Sequence, residues 1–239
     1  MNKKIYLLSY GQPTTLMKLT HLIIPWLLFI TTAFLLIAFY FICYIAPVDA
    51  QQGNNYYILY FHVPFAWLSL LLYVFLSLNA FIELLGKNSI SLPLTYSALK
   101  LGFIFTSLTL ITGSLWGLPV WGALWVWDAR LTSVFILWIF YILSYFILQA
   151  FKNKKQALHI TSIFILLGLI NIPIIKYSVT WWYTLHQQAS ISFIHSSIDY
   201  LMLTALFLMF FGLLLFCIIF ILIELRIYFL HLKLKNYVS

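Results

Sequence analysis

The sequence has 239 residues, of which 64% are hydrophobic and only 8% are charged, and its formal net charge is +8. A soluble domain of this length cannot bury so large an apolar fraction, so the composition excludes a water-soluble globular protein and predicts an integral membrane protein. Membrane topology accounts for the excess of basic residues, which therefore gives no reason to expect nucleic-acid binding.

Six continuous apolar stretches are long enough to cross a bilayer as helices, which takes about 20 residues each. Because the runs are continuous and do not alternate, they argue against a transmembrane barrel. We predict an all-α integral membrane protein, a bundle of six transmembrane helices in a single domain over residues 1–239. The predicted spans are 22–46, 57–85, 96–115, 131–151, 158–175 and 198–229.

The distribution of Lys and Arg predicts the orientation of this bundle. All but two of the 13 basic residues fall on one side of the six spans, and the exceptions are Arg130 and Lys176. Basic residues accumulate on the inner side of membranes, so both termini are expected in the cytoplasm, or in the matrix of an organelle. The outer connections then lie near 46–56, 113–130 and 176–197.

The outer connection over about 113–130 is rich in tryptophan. It contains Trp116, and Trp121, Trp125 and Trp127 stand beside Asp128 and Arg130. Large flat rings next to charged groups suit a ligand that is flat, mostly apolar and anionic at one edge, as haem is. The alternative is an aromatic belt at the membrane surface, where Trp and Tyr collect in many membrane proteins.

The other two outer segments each bring a histidine to the same side of the membrane. His62 lies where the second span begins, and His186 follows Trp181 and Trp182 in the third outer connection. A lipid-facing belt gives no reason for two histidines on one side, so these segments favour a ligand site.

Three stretches of the chain together resemble the CcmC family of haem-handling proteins in cytochrome c maturation, within the wider tryptophan-rich WWD family. The resemblance extends in matching order from the first outer segment to the third. The matching pieces are Ala46-Pro47, Asp49, Gln51-Gln-Gly53, His62-Val-Pro64, Trp121-Gly122, Trp125-Val-Trp-Asp-Ala-Arg-Leu-Thr132, Pro173-Ile-Ile-Lys-Tyr-Ser-Val179, Trp181-Trp182 and Thr184-Leu-His-Gln187.

The resemblance implies a haem-binding role for particular residues. His62 and His186 are implied as axial ligands of the iron of a transiently and non-covalently bound haem b. The expected surroundings of the haem are Trp116, Trp121, Trp125, Trp127, Asp128, Arg130 and Lys176. The protein would hold haem on the outer face of a bacterial inner membrane, or of the mitochondrial inner membrane, and deliver it for c-type cytochrome biogenesis.

The resemblance also implies partners. They are an ABC-type ATPase with its membrane subunit, a small tethering membrane protein and a periplasmic haem chaperone. The sequence contains no nucleotide-binding loop and no catalytic nucleophile that we recognise, so we expect a delivery component and not an enzyme.

Two readings of the charged residues stay open at this stage. Arg130 and Lys176 lie on the side where topology disfavours bases, and the carboxylates of haem are one reason for that placement. Arg130 also has a candidate partner in Asp128. That carboxylate is equally well placed to cap the fourth helix, as Asp199 is for the sixth.

The chain departs from the family pattern at two positions. Leu118 replaces an expected basic residue, and Leu124 stands where a further aromatic residue is common. These changes remove one candidate partner of a haem carboxylate and one ring of the aromatic surface. A third histidine on the outer side, His195, matches no family motif, and we expect it either to support a residue of the site or to be structural.

Other functional classes fit the sequence less well. A transmembrane haem transporter would line a path with polar or charged groups, which are scarce in these spans. A b-type electron-transfer cytochrome would place paired histidines deep within facing helices. A disulfide-oxidising enzyme would need paired cysteines, whereas Cys43 and Cys217 lie in different spans.

The predicted orientation is tested by reporter fusions along the chain. Fusions at Gln52, Gly117 and Gln188 should be external, whereas fusions at Lys87 and Lys154 should be internal. Reporter pairs that are active on opposite sides of the membrane measure this. An internal tryptophan-rich segment would contradict the proposed outer site.

Overall fold

A computed structural model describes residues 13–86, 90–186 and 198–238. Lys87, Gln188 and His195, which the sequence analysis singled out, lie outside these ranges. The helices are α1 Pro13–Tyr40, α2 Leu59–Leu85, α3 Ser91–Trp121, α4 Ala129–Ala150, α5 Lys154–Gly168, α6 Asn171–Trp181 and α7 Tyr200–Val238. A π-helical turn, Phe41–Ile45, extends α1, and a 3-10 helix, Asn54–Ile58, precedes α2.

Six stretches of the described chain are long and apolar enough to cross a membrane, which confirms the predicted all-α, six-span class. Helices α5 and α6 together form the fifth of them, over Lys154–Trp181. In hydrocarbon a helix bonds its backbone groups within one segment, which explains why uninterrupted apolar runs adopt this structure. The chain is a multi-pass membrane protein.

The tryptophan-rich segment differs from the predicted outer loop over 113–130. Helix α3 continues to Trp121 and α4 begins at Ala129, so only residues 122–128 are non-helical. Gly122 ends α3 in a left-handed conformation with φ of 74°, and its N–H donates to the carbonyl of Leu118 at 2.9 Å. Glycine adopts this conformation without a steric penalty, so it stops the helix here. An external reporter is better inserted at Leu124 than at the helical Gly117.

The fifth span is interrupted between α5 and α6. The N–H of Leu169 donates to the carbonyl of Leu166 at 3.2 Å, which tightens the last turn of α5. The buried side chain of Asn171 then donates from Nδ2 to the carbonyl of Ser133 on α4, at 2.8 Å. Pro173 lacks an N–H and is tolerated here because it lies in the first turn of α6. The interruption therefore coincides with a side-chain bond to a neighbouring helix.

Helix α2 lies centrally and packs against α3, α5 and α7, whereas α1 packs mainly on α7. Two glycines allow large rings into this core. A Cβ on Gly102 would overlap the ring of Tyr141, and one on Gly168 would overlap the hydroxyl of Tyr73. The Tyr141 hydroxyl also donates to the carbonyl of Ser69 at 2.7 Å. Small residues at helix contacts are the usual way in which membrane helices approach closely.

The bond between Asn171 and Ser133 generates a prediction about α6. Replacing Asn171 by Leu removes the donor, and we expect a loss of about 0.5–1.5 kcal/mol in the free energy of unfolding. Because α6 carries residues of the cavity described below, ligand retention should fall as well. Thermal unfolding in detergent and the retained ligand fraction measure the two effects.

A second buried asparagine provides the matched control. Asn79 donates to the carbonyl of Ser91 at 3.1 Å and to Oγ1 of Thr95 at 2.9 Å, near the other end of α2. Asn79→Leu should lower stability without a specific effect on ligand retention. Equal loss of ligand in both variants would show that α6 has no particular role in positioning the site.

Candidate functional site

A cavity of about 740 Å³ lies among α2, α3, α4 and α6. Its walls are mostly apolar, and the ionisable or metal-ligating side chains among its lining residues are His62, Arg130, Lys176 and His186. Sites for small molecules are typically concave, mainly apolar and equipped with a few placed polar groups. The cavity therefore has the character of a site for one mostly apolar ligand.

His62 reaches the cavity from the first turns of α2. Its Nδ1 lies 3.0 Å from Oγ1 of Thr112 on α3. The ring also meets that of Trp116 edge-on, with 5.6 Å between the ring centroids. Gly113 faces the same imidazole, and a Cβ there would approach the ring carbon to 3.0 Å. One face of α3 thus fixes the position of this histidine.

The first outer segment holds Trp116 in place. The indole Nε1 of Trp116 donates to Oε1 of Gln52 at 2.7 Å. Gln52 is oriented in turn by Asp49, whose Oδ1 accepts from the backbone N–H groups of Gln51 at 2.9 Å and Gln52 at 2.7 Å. Asp side chains commonly stabilise turns in this way. A series of hydrogen bonds therefore connects the loop after α1 to the Trp116 ring beside His62.

His186 follows α6 and is held by the start of α4. Its Nδ1 lies 3.1 Å from Oδ2 of Asp128, while Oδ1 of Asp128 accepts from the N–H of Leu131 at 2.7 Å. The second contact is an N-cap, and it confirms the predicted capping role of Asp128. The ring of Trp121 packs against His186, with 4.7 Å between the centroids. One carboxylate thus begins a helix and orients a histidine.

The protonation of His186 follows from its surroundings. Burial of the ring lowers the pKa of His186 from its ordinary value, the hydrogen bond with Asp128 opposes this shift, and the positive charge of Arg130 adds to it. Taken together the pKa is lowered, so the ring is neutral at neutral pH. Neutral imidazole is the form that binds metal ions.

The two bases of the outer side both line the cavity. Arg130 belongs to the first turn of α4, and Lys176 lies on α6 with its Nζ 5.6 Å from the centre of the Tyr177 ring. Among the described residues, Asp128 contacts the imidazole of His186, and no ion pair joins Asp128 to Arg130. The two positive groups are therefore placed to meet an anionic part of a ligand.

The tryptophans of the outer segment occupy different positions. Trp125 lines the cavity, and its Nε1 is buried with no hydrogen-bond partner among the described residues. Trp127 packs edge-on against Trp125, at 5.3 Å between centroids, but it is 72% exposed and is not part of the lining. An unpartnered buried donor is costly, so the indole N–H of Trp125 is available for a ligand acceptor.

The nine candidate residues thus divide into two groups. The cavity lining includes His62, Trp125, Arg130, Lys176 and His186. The residues Trp116, Trp121, Trp127 and Asp128 do not line it, and three of them instead contact one of the histidines. The two departures from the family pattern, Leu118 and Leu124, are both exposed and also lie outside the lining.

Sequence reasoning missed two residues whose side chains form hydrogen bonds with candidate site residues. Thr112 belongs to an unremarkable apolar run, and no pattern connects it with a histidine 50 residues earlier. Gln52 belongs to a polar segment that we had noted, but its contact with Trp116 depends on the folded loop. For Gln52 a signal was present, whereas for Thr112 there was none.

Comparison with known proteins shows which family the chain matches. Residues 6–238 match the family model described as Heme exporter protein C. A ccmC-like mitochondrial protein of cytochrome c biosynthesis from Arabidopsis thaliana is 45% identical over 220 residues, which is 90% of this chain and 82% of that protein. A similar mitochondrial protein from Marchantia polymorpha is 49% identical over 173 residues, which is 72% of this chain and 73% of that protein.

A bacterial relative agrees with the plant ones. Heme exporter protein C of Escherichia coli strain K12 is 39% identical over 178 residues, which is 74% of this chain and 73% of that protein. Together with the six spans, these bacterial and mitochondrial relatives identify a multi-pass protein of an inner membrane.

Proposed function

The chain belongs to the Heme exporter protein C family, and from that premise we propose that it binds haem at the outer rim of the membrane and delivers it to a haem chaperone for c-type cytochrome maturation. One observation carries the proposal. His62 and His186, each held through Nδ1, line a single apolar cavity together with two bases.

The residues present fit haem as the cargo. Nδ1 of each histidine makes the side-chain contact that holds the ring, so Nε2 is the nitrogen left to serve as an axial ligand of the iron. Apolar walls suit the macrocycle, and Arg130 and Lys176 suit its two carboxylates. The unpartnered Nε1 of Trp125 supplies a further donor at the same cavity. The set of donors requires no covalent bond to the protein, so we propose non-covalent, transient binding of haem b.

The position of the histidines favours haem presentation over the alternatives. His62 lies in the first turns of α2 and His186 beyond the end of α6, whereas an electron-transfer cytochrome would hold paired histidines in the middle of its helices. A transporter would need charged or polar groups along a path to the opposite face. The charged groups of this cavity, Arg130 and Lys176, accompany the histidines instead.

Energy supply and haem acceptance are assigned to partner proteins in this proposal. The partners are an ABC-type ATPase with its membrane subunit, a small tethering membrane protein and the periplasmic haem chaperone. This chain would contribute binding, orientation and release of haem and would not itself form a covalent bond to it.

Removal of either proposed axial ligand tests the binding site. In haem-loaded protein, His62→Ala or His186→Ala should convert a low-spin, six-coordinate spectrum to a high-spin, five-coordinate one or abolish haem binding, because one iron ligand is lost. Visible absorption and magnetic circular dichroism measure this. His159 lies on α5 outside the cavity lining, so His159→Ala is the control and should leave the spectrum unchanged. A low-spin spectrum in the double variant would rule the pair out.

The different positions of two tryptophans predict separate effects on retention and transfer. Trp125→Ala should weaken haem retention by about 1–3 kcal/mol, because a wall of the cavity and its N–H donor are lost. Trp127→Ala should leave retention near normal and reduce transfer to the chaperone, since its ring is exposed beside the cavity. Haem occupancy and chaperone-bound haem measure these two outcomes.

Trp26 serves as the matched control for the exposed tryptophan, because it is 68% exposed on α1 and does not line the cavity. Trp26→Ala should change neither readout. Normal haem transfer in both the Trp125 and Trp127 variants would indicate that the tryptophans form only an interfacial belt.

A further inference from the structure

We infer that Asp128 and Thr112 are positioning residues that fix the tautomers of His186 and His62, so that each ring presents an unprotonated Nε2 to the cavity. A neutral imidazole carries its proton on one nitrogen only, and the nitrogen that binds iron must be the other one. The purpose of this arrangement rests on the proposed haem binding, but the arrangement itself can be measured without haem.

The hydrogen bonds of Thr112 determine the tautomer of His62. Its hydroxyl lies 2.6 Å from the carbonyl oxygen of Leu108, one turn earlier on α3, and 3.4 Å from that of Thr109, which is a much longer contact. A hydroxyl has a single proton, and the carbonyl can only accept, so the proton of Oγ1 points to Leu108. The contact of 3.0 Å with His62 must then be donated by the ring. His62 is therefore protonated on Nδ1, and Nε2 carries the lone pair.

The carboxylate of Asp128 imposes the same tautomer on His186. An ionised carboxylate only accepts hydrogen bonds, so Nδ1 of His186 must donate to Oδ2 across the 3.1 Å contact. The other oxygen, Oδ1, is held by the N–H of Leu131 and cannot turn away without breaking the cap of α4. The fixed helix start therefore fixes the carboxylate, and the carboxylate fixes the ring.

This double use of Asp128 makes Asp128→Asn an informative variant. The N–H of Leu131 requires an oxygen acceptor, so the amide oxygen of Asn should keep the cap. The NH2 group then faces Nδ1 of His186 and donates to it. Nδ1 must accept, which moves the ring proton to Nε2 and removes the lone pair from the cavity. Aspartate-to-asparagine replacement beside a catalytic histidine acts through the same reversal in serine proteases.

A serine at the same position separates this role from capping. Asp128→Ser should also cap α4, because Ser, Asn and Asp are about equally good N-caps. Its side chain is too short to reach His186, so the ring can adopt either tautomer. A purely structural role of Asp128 predicts that Asn and Ser behave alike. Tautomer control predicts that Asp128→Asn retains haem less well than Asp128→Ser, although asparagine is closer to aspartate in shape.

The first measurement uses the full-length, haem-free protein in detergent. Nitrogen chemical shifts of ¹⁵N-labelled histidine distinguish a protonated Nδ1 from a protonated Nε2, and the His186 signal is assigned by its loss in His186→Ala. We expect protonated Nδ1 in the wild type, protonated Nε2 in Asp128→Asn and a mixture in Asp128→Ser. An unchanged tautomer in Asp128→Asn would overturn the inference.

The second measurement uses the same variants loaded with haem. Loss of a partner of a metal-ligating histidine typically weakens binding by about 10- to 100-fold. We expect haem dissociation to accelerate in that range for Asp128→Asn, with a high-spin spectrum, and by less for Asp128→Ser. Thermal unfolding of the haem-free variants should be similar, because both keep the cap. Equal rates of haem dissociation in Asp128→Asn and Asp128→Ser would contradict tautomer control.

Thr112 provides an independent test on the other ring. Thr112→Val has the same shape but accepts no hydrogen bond, so His62 loses its partner without being forced into the opposite tautomer. We expect haem dissociation to accelerate in Thr112→Val by less than in Asp128→Asn. In Thr112→Ser, which keeps a hydroxyl, we expect the wild-type dissociation rate. If Thr112→Ser lost haem as fast as Thr112→Val, the hydroxyl would be excluded as the cause of the effect.

These outcomes separate the inference from the proposed function. If His62→Ala and His186→Ala keep the wild-type haem spectrum, the axial-ligand proposal fails, and the tautomers measured without haem still decide whether Asp128 positions His186. If both histidine variants lose low-spin haem while Asp128→Asn keeps it, the positioning inference alone fails.

Discussion

The need to bond every backbone polar group within hydrocarbon is the constraint on which this structure depends. An uninterrupted helix meets that need by itself, but an interruption requires partners from elsewhere in the protein. Two breaks in helical structure border the site, the connection over residues 122–128 between two spans and the interruption between α5 and α6 within one span, and a side-chain partner accompanies each. Asp128 accepts from a backbone N–H in the first turn of α4, and Asn171 at the start of α6 donates to the carbonyl of Ser133. The cavity is lined by residues from both places, with Trp125 and Arg130 near the first and Ile172 and Lys176 near the second.

The same constraint joins the fold to the ligand site. Asp128 is needed as a cap where α4 begins, and its second oxygen is then available for His186. On the other side of the cavity, the hydroxyl of Thr112 donates to a backbone carbonyl of α3 and accepts a hydrogen bond from His62. In both places a group that stabilises a helix also orients a histidine. A residue that serves the two purposes is tied to the backbone, so the position of the ring is coupled to the rigid bundle and not to a free loop.

Much of the fold could be predicted from the sequence, because length and continuity of apolar runs determine membrane spans. The caps at Asp128 and Asp199 were also predictable, since an acidic residue just before an apolar run suits a helix start, and Asp199 accepts from the N–H of Leu201 at 2.8 Å. The residues at which the helices end were harder to predict. The run up to Trp121 has the composition of an interfacial loop, and only the folded chain shows that it continues α3.

The contacts of the site could be predicted only where they lie close in sequence or repeat a known motif. Membrane topology predicted that His62 and His186 lie on one side of the membrane, and the structure places both rings at one cavity. The partners of the rings come from 50 or more residues away, as with Thr112 for His62 and Asp128 for His186. Hydrophobic periodicity indicates which face of a helix is buried, but it does not indicate which neighbour that face meets.

The described geometry also changes the physical explanation of the tryptophans. Abundant indoles near a flat ligand suggest stacking, yet Trp116 and Trp121 meet the two histidine rings edge-on, at 5.6 and 4.7 Å. Large rigid rings in such contacts restrict the movement of a ligating side chain, and they do so without adding charge to the cavity. Of the four tryptophans of the outer segment, only Trp125 forms part of the wall, which Trp67 of α2 also lines. An aromatic ring at position 124 would therefore add to an exposed surface and not to the support of either histidine, which explains how the site accommodates a leucine there.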